Sequence, residues 1–177
     1  MVYVILADGF EEMEAICPVD IMKRAGIMVK TVFINKPEVE GAHNIKVMAD
    51  INIEDVNMCD MELLMLPGGA GYENLDRCEK VHKLIDYANE NNIYIAAICA
   101  APSILGKKGL LKNKNATCFP GFEKYLIGAT IKEDKVCVDK NIITAKGAGA
   151  ASDFGFKITE LLRNKKIADD LKGTMQF

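Results

Sequence analysis

The sequence predicts an α/β sandwich around a mostly parallel sheet, and three observations predict it. Apolar runs of strand length recur at residues 2–7, 27–34, 62–66, 93–98 and 141–145. Most of them lack apolar–polar alternation, the mark of strands buried on both faces. Segments of helical periodicity lie between them, and alternation of the two element types indicates a doubly wound sheet.

At 177 residues the chain has the size of one domain, read here as residues 1–177. That length buries a sizeable core without disulfide or metal staples. A net charge of −3 gives no electrostatic reason to expect nucleic acid or an anionic membrane surface. Six cysteines with no Cys-x-x-Cys pair suit neither a disulfide scaffold nor a zinc site. The apolar run at residues 1–7 ends at Asp8-Gly9, too short for a signal peptide or a membrane span. The expectation is a cytoplasmic protein with reduced thiols and no metal.

Taken in order, residues 2–7 form a first buried strand and Asp8-Gly9 turns the chain. A helix runs from Glu11 to Gly26, the latter a C-terminal stop. Pro18 denies the Glu14 carbonyl its donor, so a bend or irregular first turn is expected at Glu14. Residues 27–34 are the second strand, 35–50 a small hairpin, and 51–60 a connector with one acidic helical turn. The third core strand, 62–66, ends in Pro67-Gly68-Gly69-Ala70-Gly71. From Tyr72 to Asn91 the spacing of Leu75, Val81, Leu84, Ile85 and Ala88 predicts one helix. The strand at 93–98 meets Cys99, and a helix containing Pro102 in its first turn continues to about Lys108. Residues 107–115 read as a basic loop, and 116–128 carry no assignable pattern. Two runs about an Asp-Lys turn, 135–138 and 141–145, predict a hairpin. A helix over 152–163 and a short turn at 167–171 close the chain.

In sheets of this class, sites form beyond the carboxyl ends of the strands. Three such ends carry Glu14, Gly68-Gly69 and Cys99-Ala100. At the positive end of a helix, Cys99 should ionise more easily than a free thiol. It would be a nucleophile, with the Gly69 and Ala100 amides as oxyanion donors. A partly desolvated carboxyl there could stay protonated and move a proton. Blander readings stand beside these. A cysteine taken alone is a small apolar core residue, a reading that the strand-to-helix context of Cys99 reverses. Glu14 reads alone as a helix-surface carboxylate, and Gly68-Gly69 as a tight turn. The Gly68-to-Gly71 run lacks the Gly-x-Gly-x-x-Gly order, so no cofactor is expected. His82 is placed on a solvated helix face, and His43 on the surface with a reach across an interface. Cys17, Cys59, Cys78 and Cys137 read as structural thiols, and Cys118 as a candidate resolving thiol.

Five stretches then carry a resemblance: Val4 to Glu14, Pro18-Val19-Asp20 with Arg24-Ala25-Gly26, Leu66-Pro67-Gly68-Gly69, Ala96 to Pro102, and Lys146-Gly147-Ala148-Gly149. Together they resemble the ThiJ/PfpI superfamily, in the branch of the parkinsonism-associated deglycase and its bacterial ThiJ-like relatives. The resemblance implies a flavodoxin-like three-layer sandwich, usually a homodimer, with Cys99 on a nucleophile elbow and Glu14 as its protonated partner. Gly69 and Ala100 match the backbone donors. Where the protease-like branch has a histidine after the cysteine, this chain has Ala100, which removes the base of a Cys-His protease. Where the deglycase has a further histidine, this chain has Phe119, a pocket-wall position together with Gly68. A partner-supplied arginine is replaced near His43.

The implied activity is a cofactor-free glyoxalase or deglycase acting on methylglyoxal-like carbonyls or their early adducts. The alternative is a stress protein in which oxidation of Cys99 is itself the function, as redox sensor or chaperone.

Overall fold

The apolar runs pair into one sheet. The computed structural model describes residues 1–177. Its strands are β1 (Val2–Leu6), β2 (Val29–Phe33), β3 (Glu38–Glu40), β4 (Lys46–Met48), β5 (Ile51–Asn52) and β6 (Leu63–Leu66). They continue with β7 (Tyr94–Ile98), β8 (Asn115–Ala116), β9 (Thr130–Ile131), β10 (Val136–Asp139) and β11 (Ile142–Ala145). The helices are α1 (Glu12–Arg24), α2 (Tyr72–Arg77), α3 (Glu79–Glu90), α4 (Pro102–Lys107), α5 (Ala151–Leu162) and α6 (Lys165–Thr174).

The main sheet has the order β10-β11-β7-β6-β1-β2-β5. Its pairs are parallel except the β10–β11 hairpin at one edge. Renumbering β1, β2, β6, β7 and β11 from one to five gives 2-1-3-4-5, the flavodoxin-like order.

Because side chains alternate along a strand, each buried strand feeds two cores. Tyr3, Ile5, Leu64, Leu66, Ile95 and Ala97 pack with α3 and α4 through Val81, Ile85, Ile104 and Leu105. Val2, Val4, Leu6, Met65, Ala96 and Ile98 pack with α1 and α5 through Ala15, Met22, Phe154 and Ile158. Helix, sheet and helix make three layers.

The structure departs from the sequence expectations at several elements. The bend expected at Glu14 does not break α1, which runs through Pro18. Pro18 removes one donor, while α5 packs directly on it: a Cβ on Gly155 would lie 2.9 Å from Pro18 Cα. The single helix expected over 72–91 is instead α2 and α3, divided at Cys78, whose backbone is extended. His82 explains part of the break, because its Nε2 lies 2.7 Å from the Asp76 carbonyl oxygen. His82 is therefore partly buried and bonded across the break rather than solvated. The 51–60 connector contributes edge strand β5 and two 3₁₀ turns. The boundary between the basic loop and the unassigned stretch is β8, which pairs in parallel with β9. The short final turn is the longer helix α6, capped by the Asn164 side chain, which accepts from the Ile167 amide at 3.0 Å.

Candidate functional site

Four carboxyl-end loops meet at one point. Glu14 comes from the first turn of α1, whose N-cap Glu11 accepts a hydrogen bond from the Glu14 amide at 2.8 Å. That cap orients the first turn so the Glu14 side chain enters the interior, where it is 1% exposed. Its Oε2 accepts from the Gly68 amide at 2.9 Å, just past β6. The Ala148 amide, past β11, lies close enough to the same carboxyl to lower its pKa. Glu14 is thus a buried carboxyl held by the Gly68 amide, not a helix-surface carboxylate.

Cys99 directly follows β7 and is half-buried. Its φ of 66° is the left-handed region, which costs an L-residue about 1 kcal/mol or more. Two hydrogen bonds hold it there. The Cys99 amide donates to the Ala145 carbonyl at 2.9 Å, and its carbonyl accepts from the Phe119 amide at 2.8 Å. The turn aims the sulfur at Glu14, with the Gly69 and Ala100 amides in hydrogen-bonding reach.

Only glycine fits at two positions beside this pair. A Cβ at Gly68 would lie 2.5 Å from Cys99 Cβ and 2.6 Å from Glu14 Oε2. Gly69 has φ +76°, and a Cβ there would meet Glu11 N and Gly9 O at 2.5 Å each. The two glycines let the third strand's loop lie flat between the carboxyl and the sulfur.

Burial sets the electrostatics. It pushes the Glu14 carboxyl up from 4.5 to about 7, with the Glu11 charge adding, against the Cys99, Gly68 and Ala148 hydrogen bonds. Burial and the Glu14 charge push the Cys99 thiol up to about 12, against the Gly69 and Ala100 amides. Desolvation and the neighbouring carboxyl thus work against the expected easy ionisation, and the Gly69 and Ala100 amides work for it. The two groups share protons as a pair. The first leaves near pH 7 and the second is held far into the alkaline range. Between those limits one proton can sit on carboxyl or sulfur.

The remaining candidates divide clearly. Phe119 stands at the rim, 47% exposed. A Cβ on Gly147 would lie 3.3 Å from Phe119 Cδ2 and 3.6 Å from Glu14 Oε1, so ring and carboxyl flank the same glycine. Cys118 is 4% exposed and packs in the α3–α4 core, whereas Cys99 packs on the α1–α5 core. Cys118 directly precedes Phe119, whose amide is bonded to the Cys99 carbonyl. Cys17 and Cys78 are half-buried and Cys137 buried, but Cys59 is exposed, against its reading as a structural thiol.

Two features escaped the sequence reading. The Ala148 amide lies in Lys146-Gly147-Ala148-Gly149, a stretch noted there without a role. The Glu12–His43 pair had no local signal at all. Glu12 Oε1 accepts from the His43 amide at 2.7 Å, and Oε2 lies 2.8 Å from His43 Nδ1. Burial pushes Glu12 up, but the His43 hydrogen bonds outweigh it and leave the carboxyl lowered, while Glu12 raises His43. Glu11, Glu12 and His43 offer ligand atoms within 4.8 Å of one another. Both Glu12 oxygens are already engaged by His43, and Glu11 Oε2 caps α1. The glycine turn is similarly occupied, with the Gly68 amide on Glu14 and the Gly71 amide on the Gly9 carbonyl at 2.8 Å.

A match to the DJ-1/PfpI family covers residues 1–161. The chain belongs to the DJ-1/PfpI family. Among curated relatives, Protein DJ-1 homolog B of Arabidopsis thaliana is 35% identical over 174 residues, 96% of this chain but 40% of that protein. The present DJ-1/PfpI chain thus spans less than half of that relative's length. The glutathione-independent glyoxalase DJR-1.2 of Caenorhabditis elegans is 28% identical over 169 residues, 91% of this chain and 87% of that one. Among solved structures, oxidised Toxoplasma gondii DJ-1 superposes with a TM-score of 0.94 at 29% identity, covering 99% of this chain and 97% of that one. No helix of this family member is long and apolar enough to cross a membrane.

Proposed function

We propose that this DJ-1/PfpI protein converts methylglyoxal-type α-oxoaldehydes to hydroxy acids, with Cys99 as nucleophile and Glu14 as proton shuttle. The observation that carries this reading is the buried Glu14 carboxyl, titrating near neutrality beside a sulfur that faces two main-chain N–H groups. A general acid–base works best with a pKa near the working pH. The sulfur adds to the aldehyde carbon, and the carbonyl electron pair moves to oxygen, which takes the Glu14 proton. The carboxylate then removes the hydrogen from that carbon, giving an enediol. Reprotonation at the neighbouring carbon leaves a thioester, and water releases the hydroxy acid and the thiol. The aldehyde carbon is oxidised and the ketone carbon reduced within one molecule, so no external oxidant or cofactor is needed. Addition to an early adduct of the same carbonyls gives a deglycase by the same groups. The similarity to a protein named as a glyoxalase supports the reading.

The test is lactate formed from methylglyoxal by purified protein. Parent turnover that falls at least about a hundredfold in both Cys99→Ser and Glu14→Gln supports the enzyme. No parent turnover overturns it. In that event the second reading stands, in which Cys99 oxidised to sulfinate is held by the Gly69 and Ala100 amides and a protonated Glu14. The same donors that suit an oxyanion suit that anion.

Six free thiols suit a cytoplasmic setting. We also propose a homodimer. Met13 and Ile16 on α1 and Ile45 and Met48 on the β3–β4 hairpin are all exposed apolar side chains, and the Glu12–His43 pair ties helix to hairpin. A dimeric mass by light scattering is expected, and a parent monomer at high micromolar concentration overturns it.

A further inference from the structure

We infer that Phe119 sets the substrate class of this site: α-oxoaldehydes carrying an apolar or aromatic substituent, in preference to hydroxylated, sugar-derived ones. The inference rests on the carbonyl-addition reading above and names its substrates. The Phe119 amide is bonded to the Cys99 carbonyl at 2.8 Å, which ties its backbone to the turn that carries the sulfur. Its ring lies beside Gly147, as Glu14 does: Cδ2 and the Glu14 Oε1 lie 3.3 and 3.6 Å from the position a Gly147 Cβ would take. A carbonyl added to the sulfur and protonated by Glu14 therefore presents its substituent toward this ring.

The ring is also half open to solvent, at 47% exposure. A large aromatic surface left half wet at the rim gains by being covered. An apolar substituent stacked on it removes water from both surfaces. A hydroxyl in the same place loses its water and finds no donor or acceptor on a phenyl ring. Differences of one small apolar group in a pocket are worth about tenfold or more in specificity.

The experiment compares kcat/KM for phenylglyoxal and hydroxymethylglyoxal in the parent, Phe119→Leu and Phe119→Ala proteins. The readout is the ratio of the two values within each protein, and its change between proteins cancels the intrinsic reactivity of the aldehydes. Phe119→Ala is expected to shift the ratio about tenfold away from phenylglyoxal, with Phe119→Leu between. A merely structural role lowers both values together and leaves the ratio fixed. An unchanged ratio in Phe119→Ala therefore overturns the inference while leaving the enzyme reading intact. If the parent turns over neither these aldehydes nor methylglyoxal, the enzyme reading fails. The inference is then read from protection of Cys99 against iodoacetamide by the same two aldehydes. Equal protection in the parent, or protection unchanged by Phe119→Ala, overturns it.

Discussion

The Gly68 amide donates to Glu14 Oε2 at 2.9 Å, joining residues 54 apart in sequence at the point where Cys99 enters the same turn. The bond exists because glycine leaves 2.5–2.6 Å where a Cβ would strike both partners. Proton chemistry, stability and reactivity at this site all depend on it.

Cys99 alkylation by iodoacetamide should rise with pH in a first step near 7. Whichever group keeps the shared proton, the thiolate population grows as the pair loses its first one. In Glu14→Gln that step should move upward, because the lone buried thiol must ionise between the pair's two limits of about 7 and about 12. Rates against pH, with Cys99→Ser as blank, measure it. A first step at 7 that survives in Glu14→Gln shows that the carboxyl is not its source.

Stability should fall as Glu14 ionises. A pKa raised from 4.5 to about 7 favours folding below the lower value, and the gain is lost as pH rises through the upper one. Glu14→Gln removes the titration. Between pH 5 and 8.5 the parent should lose about 2 kcal/mol relative to that variant, read from urea unfolding at both pH values. Parallel stability profiles for the two proteins would refute the assignment.

Gly68→Ala should impair the site more than it harms the fold elsewhere. The added methyl meets Cys99 and Glu14, so the neutral step in alkylation should disappear. Gly26 provides the contrast. Unlike Gly68 it has positive φ, at +69°, but nothing lies within 4 Å of its Cβ position. Gly26→Ala should cost about 1–2 kcal/mol in backbone strain with the alkylation profile unchanged. Equal profiles for the two variants would mean that Gly68 does not separate the pair as described.

Limited peroxide should produce sulfinate at Cys99 before Cys118 or Cys137. Those two thiols are buried, whereas Cys99 is half-buried and shares its proton with Glu14. Cys59 is exposed and can react, but it has no constellation of amide donors to hold a sulfinate. Peptide mass spectrometry gives the order. Earlier oxidation of Cys118 or Cys137 would place the reactive centre elsewhere.

By itself the sequence determined the layers and which residues stand at the strand ends where the candidate site gathers. Unbroken apolar runs such as Val2 to Leu6 and Tyr94 to Ile98 bury both faces wherever they lie, so local pattern suffices for them. Glu14, Gly68, Gly69, Cys99 and Ala100 were legible for the same reason, since each follows or begins a strongly patterned element. Elements fixed by distant partners were not legible. The division at Cys78, with His82 at the Asp76 carbonyl, and the β8–β9 pairing depend on contacts that no local period encodes. The tertiary structure alone decided the proton chemistry. A strand-to-helix cysteine taken locally is acidic, but folding also buries it beside a carboxyl that must lose its water too. Desolvation depends on everything packed around a group, and only the assembled loops of β1, β6, β7 and β11 supply it.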